Sequence, residues 1–388
     1  MRSLSKNNEN NNKEEKDCNL LEKVEEEANP YININPLSLQ LKLALTFIDT
    51  KKEEYSYPPW ITFIHKLKNN NIGIILNEKY LSIYSSNTFK LIYSIEPKKN
   101  TEIINEDEYF ELIDFIELKN NDLLLWNSKI IIIYKQIKKS YKLFQVINEF
   151  KQGTNYIKYS KYKNKKTEYY NLNSLYELKN GLVVSCNSYG LKFYSKNNDK
   201  YILISKQKIF NVENILEIKE NNFILFQKKC YLYRSRCSIP PRTSVYNKYR
   251  VTLYNIKNKE EKILVESIAY FDSGSRNYDE AFSKIKYIIK DKYLFISFPN
   301  VFYIYDISQN KEIIKENEIK IKLLCNYYND LIIAKDLKEE KIKIYQFKDG
   351  ILKFYNVFPF QDFKKIFRLN TYNFILYSNH QIKILENK

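Results

Sequence analysis

Glycine, histidine and long apolar runs are all scarce in this chain of 388 residues, and each scarcity excludes a class of chemistry. Six glycines leave little material for a glycine-rich loop that cradles a phosphate, and no Walker A or dinucleotide-binding motif occurs. Two histidines, His65 and His380, are too few for a histidine-rich metal site, and we expect structural or surface roles for both. We therefore predict no catalytic residue, no metal site and no cofactor. A hydrolase with paired carboxylates is the less favoured alternative.

The sequence also shows little evidence of disulfide bonds, of a secretory signal or of a membrane-spanning helix. The five cysteines are scattered and odd in number, which is typical of a reduced protein of the cell interior. The first residues are polar and provide no apolar core for a secretory signal. The longest aliphatic run, around Ile130, has about five residues, where a membrane-spanning helix needs about 20. We expect a cytoplasmic or nuclear protein without a transmembrane segment.

Residues 1–30 have the composition of a disordered tail. Positions 7–16 are almost wholly Asn, Glu and Lys, which bury too little apolar surface to offset the entropy of ordering. A short helix over 17–28 is the alternative for the second half of the tail. We predict a disordered, net acidic tail over 1–30, followed by one domain over 31–388.

A short apolar segment that ends in tyrosine recurs seven times, with leucine at the end of the last copy. The endings are 50, 60, 60, 51, 40 and 40 residues apart. Repetition on this scale is typical of solenoids and propellers. The copies are 80–84, 130–134, 191–194, 251–254, 302–305, 342–345 and 382–385.

Each repeat can be divided into four strands, and the third repeat is the clearest. Its apolar segments 174–178, 182–185, 191–194 and 201–204 are separated by short polar turns. One of these turns is Asn180-Gly181, a favoured hairpin turn because both residues adopt positive φ at low cost. Four antiparallel strands in each of seven repeats predict an all-β fold, the seven-bladed β-propeller.

The segment from Leu175 to Tyr194 (LYELKNGLVVSCNSYGLKFY) resembles the core of a WD40 repeat. In that family a leucine-rich strand leads through a glycine turn to a serine-bearing strand, then to a lysine-containing strand that ends in an aromatic residue. The resemblance extends over about residues 37–388, although the Trp-Asp dipeptide is absent and Tyr305-Asp306 is its nearest equivalent. It implies a WD40-like propeller that binds protein partners and is closed by an N-terminal strand.

The last repeat predicts which segment closes the ring. Three residues follow Leu385, so this repeat lacks an outer strand of its own. The run 39–47 has apolar residues at alternate positions and belongs to no repeat. Because bare sheet edges promote aggregation, we predict that 39–47 pairs with the blade formed by 365–385.

The positive charge is concentrated in two segments. The formal net charge is +17, but lysine is abundant everywhere, so the position of the charge matters more than its size. No acidic residue occurs between Glu220 and Glu260, and four of the seven arginines lie between 234 and 250. Arginine binds carboxylates and phosphates in bidentate fashion. We predict a long loop over 234–250 between the second and third strands of blade four, with these candidate binding residues: Arg234, Arg236, Arg242, Lys248 and Arg250.

A second basic insertion, 150–171, joins the last strand of blade two to the first of blade three. Its candidate binding residues are Lys161, Lys163, Lys165 and Lys166. Connections that follow second and fourth strands emerge on the same face of a propeller, so both insertions are expected there. Mobile, solvated insertions without a ligand are the alternative.

Two functions follow from these features. The first is a non-enzymatic scaffold for protein–protein interaction, with acidic proteins as the expected partners. The alternative is a module that binds an anionic ligand, either RNA or a phosphoinositide membrane surface, through the basic face. We expect the 35 tyrosines to pack between blades rather than to stack on bases.

Overall fold

In the computed structural model the chain forms seven four-stranded antiparallel sheets. The structure describes residues 39–46, 60–97, 111–149, 172–234, 243–272, 285–298, 301–316, 321–326 and 330–387, except 69, 139, 291, 362, 364, 370–372 and 379–380. The predicted tail over 1–30 and the basic insertion over 150–171 lie outside these residues.

The strands follow the chain from the first blade to the seventh. The closing strand is β1 (Leu39–Thr46), and blade one contains β2 (Ile61–Lys66), β3 (Ile72–Leu76), β4 (Tyr80–Tyr84) and β5 (Leu91–Ile95). Blades two and three contain β6 (Asp114–Glu117), β7 (Leu123–Trp126), β8 (Ile130–Ile137), β9 (Ser140–Asn148), β10 (Leu172–Glu177), β11 (Val183–Asn187), β12 (Gly190–Asn197) and β13 (Lys200–Gln207). Blades four and five contain β14 (Val212–Lys219), β15 (Asn222–Arg234), β16 (Thr243–Asn255), β17 (Glu260–Asp272), β18 (Lys286–Lys290), β19 (Tyr293–Ser297), β20 (Phe302–Asp306) and β21 (Lys311–Glu316). Blades six and seven contain β22 (Ile321–Asn326), β23 (Leu331–Asp336), β24 (Ile342–Lys348), β25 (Ile351–Val357), β26 (Lys365–Arg368), β27 (Asn373–Tyr377) and β28 (Gln381–Asn387).

Burial changes from the inside to the outside of each blade. The second strands β7 and β11 are buried at every position, because each blade packs between two neighbours. The outer strand β13 instead alternates between inward and exposed side chains. The first strands of neighbouring blades contact one another in blades two to four and in blades five to seven. These first strands therefore form the inner wall of the ring.

The predicted repeat and the predicted closure are both confirmed. All seven tyrosine-ended or leucine-ended segments lie in the third strand of a blade. Strand β1 pairs antiparallel with β28, from Leu39 opposite Asn387 to Thr46 opposite Gln381. The seventh sheet thus has the order β1-β28-β27-β26 and takes its outer strand from the N-terminal side of the chain.

A repeated glutamate links the first strands of blades two, three and four to the preceding blade. Its carboxylate accepts a hydrogen bond from the backbone N–H of the lysine that follows the first strand of the preceding blade. The pairs are Lys68 with Glu117 (2.5 Å), Lys119 with Glu177 (2.7 Å) and Lys179 with Glu217 (2.6 Å). In the sequence this link is visible as Glu-Leu-Lys or Glu-Ile-Lys at the end of each of these strands.

Blades two and three are also joined by a buried carboxylate. Asp122 is 4% exposed and lies in the turn between β6 and β7. It accepts hydrogen bonds from Lys196 Nζ (2.7 Å) and Tyr201 Oη (2.8 Å) of blade three, and from Asn120 Nδ2 (3.0 Å). Burial, with the hydrogen bond to Asp122 and its negative charge, raises the pKa of Tyr201 above its usual value. The tyrosine therefore remains a donor to Asp122 at neutral pH.

The hairpin between β11 and β12 depends on a glycine. Gly190 follows the turn at Ser188 and Tyr189, has φ near +152°, and donates its N–H to Asn187 Oδ1 at 3.0 Å. A Cβ atom at this position would lie 2.0 Å from the backbone oxygen of Gln207 on β13. The third and fourth strands of blade three can approach this closely only without a side chain at Gly190.

Candidate functional site

Blade four carries a long extension of its sheet. Strands β15, β16 and β17 each have 13 residues, whereas the other strands have 4 to 9. We name the distal residues 228–234, 243–250 and 265–272 the blade-four arm. The predicted loop over 234–250 is wrong for most of its length, since 243–250 belong to β16 and Arg234 ends β15. Tyr231 and Tyr233 before Pro240-Pro241 and Val245 and Tyr246 after it favour strands. The connection 235–242 lies outside the described residues.

Three of the candidate binding residues lie in the described part of the arm, and the others do not. Lys248 and Arg250 lie on β16, and the backbone of Arg234 pairs with Thr243 at the distal end of the arm. The other candidates lie outside the residues that the structure describes: Arg236, Arg242, Lys161, Lys163, Lys165 and Lys166.

The inner face of the arm packs on blade five. Asn247, Tyr249 and Ala269 are each at most 2% exposed. The ring of Tyr249 lies 5.4 Å from that of Phe298, which follows β19. Asn247 Nδ2 donates to Tyr249 Oη at 3.0 Å. The arm is therefore held by a packed core, and its opposite face has a fixed position on the ring.

The outer face presents three tyrosines in one row. Tyr246 pairs across the strands with Tyr231 on one side and with Tyr270 on the other. Both neighbouring ring pairs have centroids 5.1 Å apart, and the planes are tilted by 34° and 33°. Tyr270 is 77% exposed, while Tyr231 and Tyr246 are partly buried. We name these three side chains the tyrosine row.

Cations lie beside the tyrosine row on the same face. Lys229 and Lys248 are opposite each other on β15 and β16, two positions along these strands from Tyr231 and Tyr246. The ammonium of Lys229 is 5.1 Å from the ring centre of Tyr231. Glu266 binds both Lys248 Nζ and Arg250 Nη2, each at 2.9 Å. Hydrogen bonds from Lys248 and Arg250 hold the pKa of Glu266 below its usual value. Among the described side chains of this face, three cations stand against one anion, Glu266.

This arrangement places aromatic ring faces next to positive charge. Such a surface can stack on a planar group and attract an anion at the same time. The expectation that tyrosines pack between blades describes Tyr194 and Tyr249, which are buried, but not Tyr270. Sequence reasoning missed the row because the alignment of its members depends on the register of three strands. The sequence does show that Tyr246, Lys248 and Arg250 alternate with other residues, which predicts that these three side chains share one face of a strand.

A second exposed surface lies on the outer strand of blade six. Four large apolar side chains of β25 are exposed: Ile351 (53%), Phe354 (57%), Tyr355 (46%) and Val357 (40%). Strand β25 is the last in its sheet, so its outer edge pairs with no other strand of that sheet. We name this strand with its four side chains the blade-six edge.

The inner wall holds the one histidine within the described ranges. His65 lies on β2, with its ring 6.1 Å from that of Phe115 in an edge-to-face arrangement. The His65 side chain keeps contact with solvent. Protein atoms around the ring nevertheless remove part of its hydration, and this desolvation and then the positive charge of Lys365 lower the pKa of His65 to about 4, so the ring is neutral at pH 7. His380 lies outside the described residues.

Among the residues that the structure describes, no three His, Cys, Asp or Glu side chains are grouped to hold a metal ion. The described cysteines Cys186, Cys230 and Cys325 form no disulfide bond. Within the described strands and turns there is no helix of the length and apolar character that crossing a membrane requires.

Comparison with known proteins identifies the fold. No protein-family profile matches the sequence, and no curated protein matches it. The RRP9 WD40 repeats superpose with a TM-score of 0.52 at 8% identity, over 89% of this chain and 99% of that one. A chain of the mitotic checkpoint complex gives 0.54 at 8% identity, over 100% and 98%. Sqt1 from Saccharomyces cerevisiae gives 0.50 at 11% identity, over 89% and 99%. At such identities the likeness concerns the fold alone, and that fold is the seven-bladed β-propeller that WD40 repeats form.

Proposed function

We propose that the chain is a non-enzymatic protein-interaction scaffold of the WD40-like propeller type, acting in the cytoplasm or the nucleus. The observation that carries this proposal is the blade-six edge. Exposed apolar patches of this kind mark surfaces on which a partner packs. Soluble proteins usually blunt an edge strand with charge, as β21 does with its sequence Lys-Glu-Ile-Ile-Lys-Glu.

The chemistry of the edge indicates the kind of contact. A partner strand can add its backbone hydrogen bonds to β25 while its apolar side chains cover Phe354 and Val357, which the register with β24 places on one face of the sheet. Each square ångström of apolar surface removed from water contributes about 25 cal/mol. The expected partner is therefore a protein with an extended apolar segment.

Affinity purification with quantitative mass spectrometry tests this function. The blade-six variant carries Phe354→Lys and Tyr355→Lys, and the control carries Ile202→Lys and Ile204→Lys on the outer strand of blade three. Ile202 and Ile204 are 47% and 55% exposed, so the control adds the same charge to an equally exposed strand. We expect a near-stoichiometric partner with the wild type and the control and its loss with the blade-six variant. Absence of any saturable partner, or equal recovery with both variants, would refute the proposal.

Binding of an anionic ligand is the second candidate function, and the blade-four arm is the observation that favours it. Lys229, Lys248 and Arg250 share the outer face of the arm, and Arg236 and Arg242 lie in the sequence between β15 and β16. The insertion with Lys161, Lys163, Lys165 and Lys166 follows β9 in the sequence, and we expect it on the same side of the ring. RNA and phosphoinositide membranes are the ligands considered.

The salt dependence of binding tests the second candidate. Affinity for an anionic polymer such as heparin should fall steeply as salt rises, because bound cations release counterions. Reversal of Arg234, Arg236, Arg242 and Arg250 to Glu should abolish that binding. Unchanged affinity in this variant excludes the basic segment as the site.

A further inference from the structure

We propose that the outer face of the blade-four arm is a platform for single-stranded nucleic acid, with bases stacked on the tyrosine row and phosphates held by the adjacent cations. This proposal rests on the second function above and specifies its ligand. Two observations carry it: the aligned rings of Tyr231, Tyr246 and Tyr270, and the lysines and arginine on the same face.

The geometry of the row leaves ring surface for a ligand. With tilts of 34° and 33° the rings do not stack face to face on one another. Tyr270, at the outer strand, is 77% exposed, and its neighbour along β17, Ile268, is 43% exposed. A base stacked on an aromatic side chain strengthens binding by about 5- to 150-fold, whatever its identity.

The cations lie where the backbone of such a strand would run. Lys229 and Lys248 are two residues from the tyrosine row, about 7 Å further along the strands. Arg250 lies a further two residues along β16. A nucleotide stacked on Tyr231 or Tyr246 can therefore direct its phosphate towards an ammonium group.

Charge alone does not account for this surface. Glu266 already pairs with Lys248 and Arg250, which limits the attraction of the face for a simple polyanion. An acidic peptide would use the cations but has no flat rings to place on the tyrosines. The exposed aromatic faces thus favour a ligand that offers both flat rings and negative charge.

The platform is also rigid. The opposite face of the same strands packs on blade five through Tyr249 and Ala269, both buried. The rings need little ordering when a strand binds, so little affinity is lost to conformational entropy.

Fluorescence anisotropy with the full chain tests the proposal. The probe is a labelled single-stranded oligouridine of about 12 nucleotides, within the range that comparable platforms cover. Replacement of the tyrosine row by phenylalanine keeps the rings, and replacement by leucine removes them. We expect the phenylalanine variant to bind within about 3-fold of the wild type and the leucine variant to lose at least about 20-fold.

Two further variants test the contribution of one cation and, as a control, an aromatic ring outside the arm. Lys229→Gln should lower the slope of log affinity against log salt by about 0.7, the value for one phosphate contact on a single strand. Trp60→Leu on blade one removes an aromatic ring that is 41% exposed and should leave binding unchanged. If the triple leucine variant fails to melt cooperatively, Tyr270→Leu alone replaces it, with an expected loss of about 5-fold.

Competing ligands separate the nucleic-acid proposal from the broader proposal that the arm binds any anionic ligand. Duplex RNA of the same length should compete poorly, because its bases are not available for stacking. Binding of polyglutamate or of phosphoinositide vesicles without binding of the oligouridine would overturn the nucleic-acid proposal and leave an anion-binding module. Equal affinity of the leucine and wild-type chains would also overturn it. If no anion binds, both proposals fail.

Discussion

Replacement of Asp122 by alanine should destabilise the contact between blades two and three by about 3 kcal/mol, because the loss of one partner of a buried ion pair costs about 3–5 kcal/mol. The low end applies because the side chain of Lys196 is 29% exposed and can regain water. Tyr201 keeps the hydrogen bond from Asn120 Nδ2 at 3.0 Å but loses its acceptor. Asp122→Asn retains an acceptor oxygen and should cost less, about 1–2 kcal/mol.

Urea denaturation of four chains measures the coupling energy between Asp122 and Lys196. The chains are the wild type, Asp122→Ala, Lys196→Met and the double variant, and we expect a coupling energy of about 1–2 kcal/mol. Asp199→Asn is the matched control, since the side chain of Asp199 is 68% exposed in its 2.9 Å pair with Lys135 and asparagine tolerates its φ of 71°. Such a surface pair should leave the denaturation midpoint unchanged. A loss in Asp122→Ala as small as that of the control would refute the argument.

Three further predictions concern the ring. Deletion of residues 39–46 should abolish the cooperative unfolding transition, because β28 then has a bare edge; an unchanged calorimetric transition would contradict this. Gly190→Ala should lower the free energy of unfolding in urea by about 2–4 kcal/mol, because its Cβ would overlap the Gln207 backbone; an unchanged midpoint would be contrary evidence. His65 has a folded pKa of about 4, below its unfolded value of 6.5, so the unfolded chain binds the proton first. The wild type should therefore lose thermal stability as pH falls from about 6.5 to about 4, and His65→Gln should lose less between pH 7 and pH 5. Identical shifts in melting temperature for both chains would argue against this assignment.

The fold was open to prediction because its signals are local. Tyr84, Tyr134 and Tyr194 each end an apolar segment that lies in a third strand, and a period of two residues can be recognised within a single segment. The closing strand could be assigned because the repeat starting near Lys365 has three strands and a propeller leaves no blade incomplete.

The arm was harder to predict because its features are not local. In the sequence Pro240-Pro241 predicts an interruption of strand structure, whereas the described strands extend to Arg234 before it and begin at Thr243 after it. Tyr231 and Tyr270 become neighbours of Tyr246 only through the register of β15, β16 and β17. A shift of one residue in either pairing would place the rings on opposite faces. The ion pairs of Glu266 depend on the same register.

The β1–β28 pairing has a consequence for how the protein is made. A ribosome that adds about 5–20 residues per second completes β28 roughly 20–70 seconds after β1, since about 340 residues separate them. During that interval β1, with leucine at alternate positions over much of its length, has no partner strand. The other six blades draw all four strands from consecutive chain and can assemble as they emerge. The seventh blade is therefore the last to form in the cell, and a factor that shields a nascent leucine-rich strand would act on residues 39–46.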